Sequence, residues 1–261
     1  MRSPVPDSES LWRIYGQGLV LATLVAGDAE VHLEPGFAVG LHGEPHPELN
    51  YAVISAAAGA EDRLREYVSL LRKRGAGGYV NLSQAVATRL EPVALELGLE
   101  LEMVTPLMVR RTGPTHGGNG RYVVEGVDDA VGRRLVAQVT AEAFEAPYEQ
   151  VERAMGAPAQ SLPGVQYFVA YDKGVPVSCA VTTRIGPYVG FWDVATLSSR
   201  WRQGAGTAVL KFAIDFHAAE AGLYFLTASD AGRALYERCG FTAVEMSPYW
   251  LLRQASPDGS P

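Results

Sequence analysis

The chain has little cysteine, no long apolar run and no excess of positive charge. Its two cysteines, Cys179 and Cys239, fall in segments that read as a strand and a helix. Each is expected as a small buried apolar residue, not as half of a disulfide. No stretch approaches the roughly 18 apolar residues of a membrane span. Met1–Ser10 is polar, carries Pro and Ser, and lacks the basic-then-apolar layout of a secretory leader, so it is expected to be frayed and the compartment cytoplasmic. With 22 Lys and Arg against 29 Asp and Glu, the net charge is −7. A nucleic-acid binder needs a basic face to neutralise phosphates, so neither nucleic acid nor membrane is an expected partner. The G-x-G-x-x-G dinucleotide fingerprint is missing, because Val209 stands where a third glycine would follow Gly204 and Gly206, and so is the P-loop lysine pattern. His32, His42 and His46 invite a metal reading, but Gly43, Pro45 and Pro47 rule out a helix that would align them, so loop histidines and no metal are expected.

What is present is core material. At 261 residues and 48% hydrophobic, the chain can fill one large domain or two small ones. Apolar runs at Leu11–Tyr15 and Gly18–Val25 precede short strands at Ala29–Leu33, Phe37–Leu41 and Asn50–Ser55. Ala60–Arg74 is an amphipathic helix with Leu64, Val68 and Leu71 on one face and a basic end, Arg72-Lys73-Arg74, that complements the helix dipole. A strand at Tyr79–Leu82, a helix at Ala85–Leu97 stopped by Gly98, and a strand from Leu99 through Pro106 follow. Thr112–Gly120 is glycine-rich and marks the domain boundary. Beyond it come a strand at Arg121–Gly126 and a helix capped by Asp128 that buries Val131, Leu135, Val136 and Val139. Pro147 breaks this helix before a second short one through Met155. Gln166–Tyr171 and Val175–Thr183 read as a hairpin over Asp172-Lys173-Gly174.

Tyr188–Thr196 then reads as a strand, Gly204 and Gly206 as a turn, and Thr207–Ala221 as a helix. Strand, glycine turn and helix together make a phosphate cradle, since glycine admits close backbone approach and a first helical turn leaves N–H groups unpaired. Glycines at such a turn also serve tight packing, and both readings stay open. Downstream, Leu235-Tyr236-Glu237-Arg238-Cys239-Gly240-Phe241 is a short helix ending at a glycine. The pair of segments, with Asp193-Val194-Ala195-Thr196-Leu197-Ser198 before the cradle and Ala228-Ser229-Asp230 before the second helix, resembles the two signature motifs of the GNAT acetyltransferase superfamily. The resemblance covers roughly residues 122–252. It implies an α/β (α+β) fold with a central mixed sheet flanked by helices, and acetyl-CoA as acyl-donor cosubstrate. Setting residues 78–109 beside Phe225–Leu251 aligns Gly98 with Gly240 and Pro106 with Pro248 at one offset, an internal repeat in which Ala94 stands in the place of Tyr236. The expected organisation is therefore tandem. A smaller, degenerate GNAT-like or substrate-covering module spans residues 1–112, a linker 113–121, the acetyltransferase domain 122–253 and a disordered tail 254–261.

The resemblance further implies that main-chain groups of Val194, Ala195 and Thr196 pair with the pantetheine arm, and that amides of Arg202, Gln203, Gly204, Ala205, Gly206 and Thr207 hold the pyrophosphate. Trp201 stands where the family usually has Arg or Gln, with Arg200 and Arg202 beside it as alternative cations. Tyr236 matches the family tyrosine that returns a proton to the leaving thiolate, and a phenol of pKa near 10 suits that task. Ser229 either caps its helix or touches the cofactor. The general base is left open: Gly190 occupies one family position for it, Asp193 is expected on the opposite face from Gly190, Trp192, Val194 and Thr196, and Glu142, Glu145 and Glu149 lie near the acceptor loop. The expected function is N-acetyl transfer to a small-molecule amine by a monomer or homodimer. The alternatives are a CoA-binding or scaffolding protein without turnover, or transfer of a longer acyl chain.

Overall fold

The computed structural model describes residues 5–113, 115, 120–156 and 162–254. Residues 1–4 of the expected frayed start, 114 and 116–119 of the linker, and 255–261 of the expected tail lie outside the described residues. Two compact units divide the chain. The N-terminal unit is built on Ser8–Thr23 (α1), Glu30–Glu34 (β1), Phe37–Leu41 (β2), Asn50–Ile54 (β3), Ala60–Arg74 (α2), Gly78–Leu82 (β4), Gln84–Glu96 (α3) and most of Glu100–Arg111 (β5). The C-terminal unit follows with Val123–Val127 (β6), Ala130–Ala143 (α4), Tyr148–Val151 (α5), Val165–Asp172 (β7), Val175–Ile185 (β8), Tyr188–Thr196 (β9), Ala205–His217 (α6), Leu223–Thr227 (β10) and Asp230–Arg238 (α7). The chain ends in Thr242–Leu252 (β11), whose residues from Ala243 belong to the N-terminal unit.

Each unit is a mixed sheet flanked by helices, the class expected from the sequence. The N-terminal strands run in the order β1-β2-β3-β4-β11-β5, with β3 and β4 parallel and β11 antiparallel to β4 through Tyr249–Leu252. The C-terminal strands run β10-β9-β8-β7-β6, with β10 and β9 parallel. Sequence order alone assigns the last strand to the 122–253 segment; its ladder partner β4 gives it to the other unit instead.

Local signals account for most element limits. Asp7 accepts the Ser10 amide at 2.8 Å and starts α1, so Ser8–Ser10 are helical, not frayed. The helix runs unbroken through both apolar runs because its buried residues, among them Leu11, Trp12, Tyr15 and Leu19, recur at helical spacing. α4 starts one residue later than the sequence indicates. Asp129, not Asp128, is its cap, accepting the Gly132 amide at 2.7 Å, while the Asp128 carbonyl accepts from the Arg133 guanidinium. The buried stripe accordingly follows Gly132, Val136, Ala137 and Val139, and Val131 is 58% exposed. Lys173 and Gly174 both have positive φ, 53° and 82°, the twist a two-residue hairpin turn requires between β7 and β8. The three N-terminal histidines have local partners: His32 meets Glu30, His42 the Leu49 carbonyl and His46 the Glu48 amide.

Two helices cover opposite faces of the C-terminal sheet. On β8, Cys179 meets Thr140 of α4, whereas Thr182 meets His217 of α6; residues three apart on a strand point to opposite sides. Beneath α6 the core gathers Phe168, Ala180, Val189, Phe191, Val209, Leu210, Ile214 and Tyr224. Each large side chain there contributes about 1.5–3 kcal/mol by leaving water.

His217 is 5% exposed, and burial, helped by nearby Arg184, pushes its pKa down from 6.5 to about 4. It is neutral in the fold. Between pH 6.5 and 4 the unfolded chain binds a proton here that the folded chain refuses, so stability present above pH 6.5 is lost on acidification, by about 3 kcal/mol in all. Denaturant unfolding at pH 7 and pH 4.5 should show this loss, and His217→Gln should reduce the difference between the two pH values.

Candidate active site

The site begins where β9 and β10 part. They pair through Tyr188, Val189 and Gly190 with Leu223, Tyr224 and Phe225, and the ladder goes no further although β9 continues to Thr196. The cause lies on the other edge of β9. Its register with β8 jumps between Cys179↔Ala195 and Val181↔Trp192, so that Asp193 and Val194 together oppose the single residue Ala180. Asp193 has φ 46°, and the Cys179 thiol reaches its carbonyl at 3.6 Å. A bulge of this kind bends and twists its strand. It also reverses side-chain alternation: Trp192 and Ala195 share a face, so the expectation of one face for Gly190, Trp192, Val194 and Thr196 is corrected.

Main-chain directions follow from one bond. The Leu197 amide donates to the Val177 carbonyl of β8 at 3.0 Å, so Leu197 and Ala195 face β8 while the N–H and C=O groups of Thr196 and Val194 face the freed edge. The Ala195 carbonyl is further taken by the Ser178 hydroxyl at 2.7 Å. Of the strand residues singled out in the sequence, Val194 and Thr196 thus present main-chain groups to the gap and Ala195 turns away from it.

After Thr196 a short 3-10 turn, Ser198–Arg200, leads to the glycine segment. Arg202 and Gly204 are left-handed, φ 58° and 94°, on either side of Gln203. Alternation of hand brings successive N–H groups round one concavity, an anion-binding arrangement. α6 then begins at Ala205 with no side-chain cap, and its first helical bond is from Ala208 to Gly204, at 2.9 Å. The amides of Ala205, Gly206 and Thr207 are the donors of this first turn left without a partner among the described residues. The two glycines have different reasons. Gly204 holds a backbone conformation that side chains disfavour, whereas a Cβ at Gly206 would stand 2.9 Å from the Thr196 hydroxyl and 3.2 Å from Leu235.

The side chains of the turn are tied back. Gln203 donates to the Ser199 carbonyl, and its own carbonyl accepts the buried Tyr122 hydroxyl at 3.1 Å. Tyr122 thereby fixes the cradle from a distant part of the chain, a role no local pattern signals. Arg200 lies 3.3 Å from Asp172, which Arg121 also holds at 2.8 Å; the Arg121 bond keeps that carboxylate below its usual pKa. Arg202 is exposed and joins no ion pair among the described residues. Trp201 is 58% exposed and donates its indole N–H to the Thr196 carbonyl at 2.8 Å.

Tyr236 sits on α7. Ser229 caps that helix, its hydroxyl accepting the Gly232 amide at 3.3 Å. At the other end Phe241 donates to Tyr236 O and Gly240 to Glu237 O, with Gly240 at φ 86°, a Schellman stop that only glycine adopts without strain. The Tyr236 ring lies over Gly232, where a Cβ would be 2.9 Å away, and edge-on to Phe241. Burial pushes its phenol well above 10. Leu235, its neighbour, is the residue that a Cβ at Gly206 would approach to 3.2 Å, so the absence of a side chain there lets the tyrosine helix lie close to the cradle helix.

A general base does not emerge at Gly190. A Cβ there would lie 2.7 Å from the Phe225 ring and 3.1 Å from the Trp192 indole nitrogen; aromatic rings fill the space. Glu142, Glu145 and Glu149 are exposed, and Glu142 borders an open hollow of about 550 Å³ with Gln138, Ala141, Ala146 and Tyr148.

The N-terminal unit repeats the order of elements without the gap. β3 and β4 stay paired from Tyr51↔Tyr79 to Ile54↔Leu82, and the Ser83 amide extends the ladder to the Ile54 carbonyl. The first turn of α2, in the place of the cradle helix, carries Glu61 and Asp62, which repel an anion.

Comparison with known proteins agrees with this geometry. No curated protein sequence matches the chain. Among solved structures, a GCN5-related N-acetyltransferase from Kribbella flavida superposes with a TM-score of 0.67 at 20% identity, over 95% of this chain and 96% of that one. A GCN5-related N-acetyltransferase from Sphaerobacter thermophilus gives 0.57 at 11% identity, over 96% and 94%. A tandem GNAT protein from the clavulanic acid biosynthesis pathway gives 0.52 at 12% identity, over 97% of each chain. These likenesses establish the fold, tandem arrangement included. The sequence model of the acetyltransferase (GNAT) family matches residues 133–241, the stretch that contains the bulged strand, the cradle and Tyr236. Residues 133–241 of this chain are therefore a domain of the GNAT acetyltransferase family.

Proposed function

We propose that the C-terminal unit is an acyl-CoA N-acyltransferase that moves an acetyl group from acetyl-CoA to the amine of a small molecule by direct attack. The observation that carries this reading is the freed edge of β9 ending in an uncapped helix behind two left-handed residues, Arg202 and Gly204. The residues present fit such a cosubstrate. Val194 and Thr196 offer strand-like pairing to an extended amide arm. The Gln203 amide is taken by the Arg200 carbonyl at 3.3 Å, which leaves the amides of Arg202, Gly204, Ala205, Gly206 and Thr207 for an anion, and Arg202, in no ion pair among the described residues, adds a cation. When bound, acetyl-CoA supplies an activated acyl carbonyl and a thiolate leaving group.

Tyr236 holds the proton that the thiolate needs. Burial keeps its phenol protonated across the working range, so it acts as a general acid and not as a base. The amine's proton leaves to water, since the rings of Phe225 and Trp192 fill the place beside Gly190 where a carboxylate would otherwise sit. The acceptor approaches from the α4–α5 side, where the hollow by Glu142 and Tyr148 is open. The net charge of −7 favours a small-molecule acceptor over a polyanion. A second reading, cofactor binding without turnover, draws support from the same absence of a base at Gly190.

Calorimetric titration with acetyl-CoA should show binding by the wild type and its loss in Gly204→Val and Gly206→Val. The first places a branched residue at φ 94°, costing about 1–2 kcal/mol of backbone strain, and the second pushes a side chain into Thr196. No binding by the folded wild type would overturn the proposal. With a panel of amines and thiol release as readout, Tyr236→Phe should lower turnover by about 100-fold or more while acetyl-CoA affinity stays near wild type. Unchanged turnover would remove Tyr236 from the chemistry. Because the phenol lies well above 10, the pH–rate profile should show no alkaline fall from Tyr236 up to pH 10.

A further inference from the structure

Trp201 is a large aromatic residue left 58% exposed at the mouth of the cradle, yet its polar atom is engaged. The indole N–H donates to the Thr196 carbonyl at 2.8 Å. That carbonyl belongs to the freed edge of β9: the neighbouring Leu197 amide is committed to β8, so Thr196 points the other way, along the direction in which a β-partner would pair. An indole N–H is a donor only, and so is the N–H of an amide arriving along that edge. The ring therefore makes, from the following turn, the bond that an extended ligand would make.

We propose that Trp201 is a positioning residue for the cofactor arm: its indole holds the Thr196 carbonyl in strand-pairing orientation and yields it when an amide of the pantetheine arm pairs there. This rests on the acyl-CoA reading of the site. The consequence is competition. Cofactor binding must first break the indole bond, so the residue lowers affinity and in exchange keeps the strand end from collapsing onto another donor. The exposed ring has room to swing outward.

Trp201→Phe keeps an aromatic ring and removes the donor. In calorimetric titration it should bind CoA about threefold to tenfold tighter than wild type, the worth of one exposed hydrogen bond no longer in competition. Fluorescence gives a second readout that a merely structural residue would not move. Titrating wild type with CoA should shift indole emission to the red as Trp201 is released, and the shift should vanish in Trp201→Phe although Trp12, Trp192 and Trp250 remain. Equal or weaker binding by a normally melting Trp201→Phe, or an emission shift that persists in it, would overturn the role of Trp201 while leaving the acyl-CoA reading intact. Absence of CoA binding in wild type and variant alike would overturn both.

Discussion

One extra residue in β9 is the constraint on which the site depends. With Asp193 and Val194 set against Ala180 alone, the strand bends, its pairing with β10 stops at Gly190, and its end becomes an edge inside a sheet. A left-handed aspartate costs about 1–2 kcal/mol. The cost is offset by what surrounds it: Cys179, fully buried beneath the bulge with its thiol pushed up to about 12, stays neutral and donates to the Asp193 carbonyl. An edge with unpaired N–H and C=O groups is ordinarily a hazard for aggregation. Here the opening is short, the Thr196 carbonyl is occupied by an indole, and the following turn folds back over it.

The two units show that the element order does not by itself create a site. Both have antiparallel strands leading into a parallel pair joined by a helix. In the N-terminal unit the parallel pair closes to its last residue and acidic side chains occupy the first helical turn. Its central positions are devoted to packing, with Leu64, Val68, Leu71, Leu82, Leu90 and Ala94 in one continuous core. Ala94, aligned with Tyr236 in the repeat, is wholly buried and carries no chemistry. The same architecture is thus spent on stability in one half and opened in the other.

What could be read from the sequence was local. The limits of α2, the hairpin turn at Lys173-Gly174 and the Schellman glycine Gly240 all depend on a few adjacent residues, and the sequence states them directly. The cradle glycines were legible as a motif, though their separate reasons, conformation at Gly204 and contact at Gly206, needed the positions of Thr196 and Leu235. The bulge was not legible, because it is a property of the register between β8 and β9 and strict alternation along β9 gave the wrong faces. Nor were the Tyr122 bond to Gln203 and the capture of Arg200 by Asp172, made between segments whose separation in the chain hides their proximity, or the Trp201 bond to Thr196, which depends on how the intervening turn folds back.

The placement of β11 has a consequence for the order of synthesis. The N-terminal unit needs Ala243–Leu252 beside β4, yet those residues follow the whole of the C-terminal unit in the chain. During translation the first unit therefore waits, with the Gly78–Asn81 backbone unpaired on one side, until the ribosome has made the C-terminal unit. The ordinary rule that an N-terminal domain folds first as an independent body is inverted. Nascent chains of this protein expose a template for strand addition until β11 emerges, so holdase chaperones that shield such edges would have their longest engagement with the N-terminal unit.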